Sequence, residues 1–145
     1  MAKKRIAKNN KDEQDFEVVL KAKLSPLIPE GPYQVQYVGV DKQLQGKAPK
    51  LLLHFQNITP GTYNGVRLTM FCPMPPKLGN GSKLIRMAII ALGSRPARKR
   101  FSIKNVFQGK IFNALVKTVT TDWKQQPIPK EAYYSKIEEL ISKEQ

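Results

Sequence analysis

Lys50 to Phe71, KLLLHFQNITPGTYNGVRLTMF, contains two runs of strict alternation separated by a turn. In the first run Leu51, Leu53 and Phe55 share one parity, while Leu52, His54 and Gln56 share the other. In the second, from Val66 to Phe71, Val66, Leu68 and Met70 alternate with Arg67, Thr69 and Phe71. A period of two places successive side chains on opposite faces of a strand, so each run predicts a strand with one core face and one outer face. The intervening TPGTYNG is rich in residues that tolerate tight backbone bends and predicts a reversal.

Upstream, Tyr33, Val35 and Tyr37 alternate with Gln34, Gln36 and Val38, which predicts a preceding strand entered through the Pro29–Pro32 turn. The polar stretch DKQLQGKAP, residues 41–49, reads as the loop between the first two strands. Phe16 to Leu24 is β-prone and reads as an edge strand or a docked extended segment. CPMPPKLGNG ends the three-strand meander, because proline removes donors from a ladder.

Ser82 then opens a predicted amphipathic helix, with Leu84, Ile85, Ala88, Ile89 and Leu92 at helical spacing and Gly93 as its stop. The following SRPARKRFSIKN reads as a linker. Lys110 to Thr121 predicts the fourth strand, and the run from Tyr133 to Ile141 is assigned to a fifth in preference to a terminal helix. Three strands, one helix and two strands is the order of a five-stranded Greek-key barrel of the oligonucleotide-binding (OB) type, with its helix between strands 3 and 4. The expected organisation is a flexible basic arm over residues 1–15 and a single mainly β domain over 16–145.

Charge points the same way. The chain of 145 residues holds 25 Lys and Arg against 11 Asp and Glu, a formal charge of +14. Between Asp41 and Asp122 there is no acidic residue, yet that stretch carries fourteen Lys and Arg. Such a field has a phosphate backbone as its natural partner. Carboxylates are too scattered to hold catalytic metal ions or to act as an acid–base pair, so no enzymatic activity, catalytic residue, metal or cofactor is expected. The single cysteine, Cys72, rules out an intrachain disulfide and reads as a packed or loop thiol. His54 lacks a Cys or His at ligand spacing and reads as a structural or groove-facing side chain. LGNGSK lacks the spacing of a phosphate loop and reads as a helix entry. No stretch approaches the length of a membrane span, and residues 1–11 are basic without the apolar run of a secretory signal, so the expected location is the cytoplasm, with no membrane partner.

Four segments, GPYQVQYVGV, KLLLHFQNITPGTYNGVRL, FQGKIFNALVKTV and YYSKIEELI, together spanning Gly31 to Ile141, resemble a diffuse family of small OB-like phage, plasmid and integrative-element proteins. That resemblance implies an accessory of DNA replication or recombination in a mobile element, of the single-stranded-DNA-binding type.

Single-strand binding needs bases that track phosphates and flat side chains that stack on nucleobases. Candidates are Tyr37, His54, Tyr63, Arg67 and Phe71 on the strands and turn, Lys83 and Arg86 on the helix, and Arg95, Arg98, Lys99, Arg100 and Lys104 in the linker. For Tyr37 and Phe71 a packed position in the barrel is the competing reading; for Trp123, plugging the barrel end is preferred to stacking. RNA or duplex DNA, a homo-oligomer, and an adaptor role toward a helicase or primase stand as alternatives.

Overall fold

A computed structural model describes residues 15, 17–18, 25–43, 49–75, 77–98 and 100–144. The basic arm up to residue 14, nearly all of the Phe16–Leu24 segment, most of the first loop and Lys99 lie outside the described residues. The strands are β1 (Gly31–Gln43), β2 (Lys50–Asn57), β3 (Arg67–Pro73), β4 (Ile111–Val119) and β5 (Tyr134–Lys143). Two short helices, α1 (Lys83–Leu92) and α2 (Ile103–Phe107), lie between β3 and β4 in chain order, and a 3-10 turn (Lys130–Ala132) precedes β5. Among the described residues no helix is long and apolar enough to cross a membrane.

The five strands close into a barrel in the order β1-β2-β3-β5-β4, with β1 also paired to β4. All pairings are antiparallel except β3 with β5, which meet in parallel at Met70 and Ile137. Alternation decides what enters the barrel. Leu51, Leu53 and Phe55 of β2 and Leu68, Met70 and Cys72 of β3 are buried, as are Val35, Phe112, Ala114, Val116, Ile137 and Leu140. Phe55, Phe107 and Phe112 form the aromatic centre, their ring centroids 6.1 Å (Phe55–Phe112) and 5.9 Å (Phe107–Phe112) apart. Edge-to-face and tilted pairs at this spacing are favourable beyond the area they bury.

Several elements differ from the sequence expectation. β1 continues through Asp41–Gln43, where the alternation lapses and a loop is expected; those residues pair with Leu52, Leu51 and Lys50. A bulge between Tyr37 and Gly39 shifts the register of β1 by one residue. It puts Gly39 and Asp41 on the outer face, a parity the residues before the bulge do not foretell.

The buried stripe of α1 is Leu84, Met87, Ala88 and Ala91, whereas Leu92 is 38 % exposed. Small and flexible side chains let the helix sit close to the barrel, so the larger Ile85 and Ile89 are displaced to its flanks. Gly93 does end α1, in the left-handed region at φ 78°, with its N–H donating to Ile89 at 2.7 Å. The Ser82 side chain makes no cap; its Oγ accepts from the Gly79 N–H at 3.0 Å.

The linker contains α2, so there are two helices rather than one. Its apolar residues Val106 and Phe107 are adjacent instead of periodic, and its start is fixed by Ser102 Oγ accepting from the Asn105 N–H at 3.2 Å. The fifth element is a strand, the reading preferred to a terminal helix.

Pro26 to Glu30 crosses one end of the barrel. There Ser135 is buried, its Oγ accepting from the Ile28 N–H at 2.8 Å and donating to the Ile28 carbonyl at 3.0 Å. Glu30 accepts from the Thr118 N–H at 2.8 Å. Asn57, also buried, binds the β2–β3 turn through Tyr63 O at 2.8 Å and the Thr59 N–H at 3.0 Å. Satisfied polar groups of this kind stabilise modestly, but removing one partner would strand a buried donor or acceptor.

Candidate nucleic-acid interface

Strand pairing lays the outer face of β1–β3 out as a grid three residues wide. Its successive rows are Gln36, Gln56 and Arg67; Gly39, His54 and Thr69; Asp41, Leu52 and Phe71; then Gln43, Lys50 and Pro73. Arg67 does not stay in its own row. Its guanidinium crosses to β1, where Nη2 lies 3.9 Å from the position a Cβ on Gly39 would take, so Arg67 lies against the β1 backbone at Gly39.

His54 is held from both sides. Its Nδ1 lies 2.8 Å from Thr69 Oγ1 and its Nε2 lies 2.8 Å from Asp41 Oδ2. In the neutral ring Nε2–H donates to the carboxylate and the Thr69 hydroxyl donates to Nδ1; on protonation Nδ1–H donates to Thr69 instead. The imidazole is 15 % exposed and the Asp41 side chain 75 %, so His54 is a fixed, shallow element of the face and Asp41 its open edge. Below them the Lys50 ammonium stands 5.5 Å from the centroid of Phe71, a cation placed against the ring quadrupole. Cations and a half-exposed aromatic ring thus share one sheet surface.

Among the sequence candidates, His54, Arg67 and Phe71 come together on this grid. Tyr37 does not, because it packs against the core. Its ring lies 6.0 Å from Phe55 and 6.1 Å from Phe107, and burial pushes its hydroxyl pKa up. Tyr63 sits in the β2–β3 turn and lines a shallow cleft of about 440 Å³ with Leu27, Ile28, Pro29, Thr118 and Tyr133, at the barrel end away from the helices.

Lys83 and Arg86 face β5. Burial lowers the Lys83 pKa, with Glu138 opposing that shift, and Arg86 Nη1 lies 3.7 Å from Glu139 Oε2. The acids that the sequence sets apart at the C-terminal end therefore fold back against the basic middle segment. Arg95, Arg98 and Arg100 are exposed in the α1–α2 connection and Lys104 is exposed on α2; among the described residues no carboxylate lies within ion-pair distance of these four. Uncompensated charge among the described residues is thereby present at the helical end, in Arg95, Arg98, Arg100 and Lys104, and on the sheet face, in Arg67 and Lys50.

Lys50 and Asp41 were not singled out from the sequence. Lys50 shares parity with Leu52, His54 and Gln56, so the alternation contained that signal. Asp41 has no such signal, because the bulge that turns it outward is a tertiary feature. Trp123 does not plug the barrel: it is 84 % exposed on the β4–β5 connection.

Cys72 is fully buried beneath α1, and burial drives its pKa up to about 11 from a reference of 9.0, against the opposing pull of Lys83 and Arg86. Thiolate is the reactive form, so the folded protein should resist a disulfide exchange reagent at pH 8 and react promptly once unfolded in urea. Rapid stoichiometric labelling of the native protein would contradict this placement. Raised pKa also means that the native state holds the proton more tightly than the unfolded chain. The associated stability is present below pH 9 and is lost as pH rises toward 11.

No protein-family model matches this chain, and no curated protein does.

Proposed function

We propose that this protein is a non-enzymatic binder of single-stranded nucleic acid, single-stranded DNA foremost, on a barrel of the OB type. It would serve replication or recombination of a mobile element. The closed five-strand order β1-β2-β3-β5-β4, with helices between β3 and β4 in the chain, supports that reading. In that architecture oligonucleotides lie across the second and third strands and the loops beside them.

The observation that carries the reading is the outer face of β1–β3. Arg67 lies across the sheet over Gly39, Lys50 stands against Phe71, and His54 is fixed between Thr69 and Asp41. Arg67 and Lys50 are suited to phosphates, and Phe71, half-buried, offers a flat surface to a base. Arg95, Arg98 and Arg100 extend the positive field toward the helical end. Mobile-element context rests on the sequence resemblance alone.

Fluorescence polarisation with labelled single-stranded DNA, duplex DNA and single-stranded RNA of equal length, at several salt concentrations, tests the reading. Expected is preference for single-stranded DNA, with log affinity falling linearly with log salt at about 0.7 per phosphate contact. Weak and equal binding to all three would leave only unspecific charge attraction and would overturn the proposal.

A further inference from the structure

Trp123 presents 84 % of its surface to water at the tip of the β4–β5 connection, although an indole is among the most favourable side chains to bury. That tip is tightly built. Asp122 Oδ1 accepts from the Lys124 N–H at 2.8 Å and from the Gln126 N–H at 2.9 Å. Its main chain accepts from the Gln125 N–H at 3.0 Å and donates to Gln126 at 2.9 Å, while Thr121 bridges to Pro127. Gln125 takes the left-handed backbone region at φ 64°, which closes the turn. The exposed ring is therefore mounted on an ordered support, and a partner that covers it meets little entropic cost of ordering the loop.

Lys124 places its ammonium 5.0 Å from the indole centroid, leaving the opposite ring face open. The tip also belongs to the Arg67 end of the barrel. Because β3 and β5 run parallel through Met70 and Ile137, Tyr134 at the start of β5 lies at the Arg67 end of β3, and the connection carrying Trp123 enters the barrel there.

We infer that Trp123 is a stacking platform for one unpaired nucleobase of the strand held on the β1–β3 face, with Lys124 beside it for the adjoining phosphate. The inference rests on the nucleic-acid reading above and adds a basis for strand preference. In a duplex each base has both faces covered by its neighbours, so an indole gains a free base face only from a single strand or a strand end. Charge contacts by Arg67 and Lys50 act on either form. Discrimination between the two then belongs to the stacking rings, and Trp123, the more exposed of them, adds to what Phe71 supplies.

Trp123 is the chain's single tryptophan, so its fluorescence reports this one position. The full chain is titrated with oligo(dT) and with a duplex of equal length, following intrinsic fluorescence and, in parallel, polarisation of labelled strands; Trp123→Ala is titrated by polarisation. Expected is strong quenching of the indole by oligo(dT), saturating with the polarisation curve, and little quenching by duplex. Trp123→Ala should weaken oligo(dT) binding about 5- to 100-fold, leave duplex affinity within about twofold and keep the native melting temperature. Binding of oligo(dT) with unchanged indole fluorescence and unchanged affinity in Trp123→Ala would overturn the inference and leave the binding function standing. Equal quenching by duplex would also overturn it. Failure of every strand to bind would instead remove the functional reading itself.

Discussion

Phe55→Ala should lower the free energy of unfolding by about 3–5 kcal/mol, the cost of truncating a large buried aromatic side chain. Phe55 has no exposed surface and stands at the centre of the barrel, with Tyr37 at 6.0 Å and Phe112 at 6.1 Å, both edge-on. Its removal forfeits the burial of the ring and two aromatic pairs together. Neighbours cannot readily collapse into the space, because the β2 backbone that carries residue 55 is hydrogen-bonded to β1 on one side and to β3 on the other. Domains of this size are stable by about 5–15 kcal/mol, so the variant should stand near its unfolding threshold. Urea unfolding followed by circular dichroism checks it through the midpoint. Leu52→Ala, one strand position class away on the outer face, should cost far less; equal losses for the two variants would refute the assignment of faces.

Neutralising Arg95, Arg98 and Arg100 together to Gln should reduce the slope of log affinity against log salt by about 2, following the loss of about 0.7 per phosphate contact on a single strand. These three side chains are exposed and free of carboxylate partners among the described residues, so their positive charge is available to a phosphate backbone. Thermal stability should stay the same, since none of them contributes to the core. Arg67→Gln should remove a single contact from the sheet face. Arg86→Gln is the informative control: its guanidinium lies 3.7 Å from Glu139, so part of its charge is already answered within the protein and the slope should change less. A triple variant with the wild-type slope would exclude the α1–α2 connection from the bound surface. In that case the sheet face alone would carry the electrostatics.

The strands and their inward faces were legible because burial imposes a short-range periodicity. Leu51, Leu53 and Phe55 differ from Leu52, His54 and Gln56 by parity alone, and a two-residue period needs no knowledge of the partner strand. The same reasoning recovers β3, the β-prone composition of 110–121 recovers β4, and glycine's tolerance of positive φ marks the end of α1; β5, whose buried Ile137 and Leu140 are three apart, shows no such period. Reading α1 itself was less successful, since Leu84 and Ala88 face the core but Ile85, Ile89 and Leu92 do not fully. Which stripe of a helix with so wide an apolar face turns inward depends on how closely its backbone approaches the barrel. α2 escaped notice because one short turn cannot display a period.

Candidate residues divide along the same line. His54, Arg67 and Phe71 follow from strand parity, and the positive character of 95–100 follows from composition. The contact of His54 with Asp41 required the bulge after Tyr37, and the approach of Arg67 to Gly39 required the register that sets Gly39 opposite His54. Tyr37, open in the sequence between stacking and packing, lies against Phe55 and Phe107, the latter delivered by a helix seventy residues downstream. Trp123, read as a plug in preference to a stacking ring, is exposed on a turn built around Asp122.

Local chemistry, then, is enough to specify where this chain extends, where it turns and that its middle segment is strongly basic, because alternation, backbone tolerance and formal charge are properties of neighbours in sequence. Which charges remain unanswered is settled by closure of the barrel. Folding brings Asp41 to His54 and Glu139 to Arg86 while leaving Arg95, Arg98 and Arg100 without such a contact among the described residues, and those encounters depend on strand register and helix placement across distances that no sequence window spans.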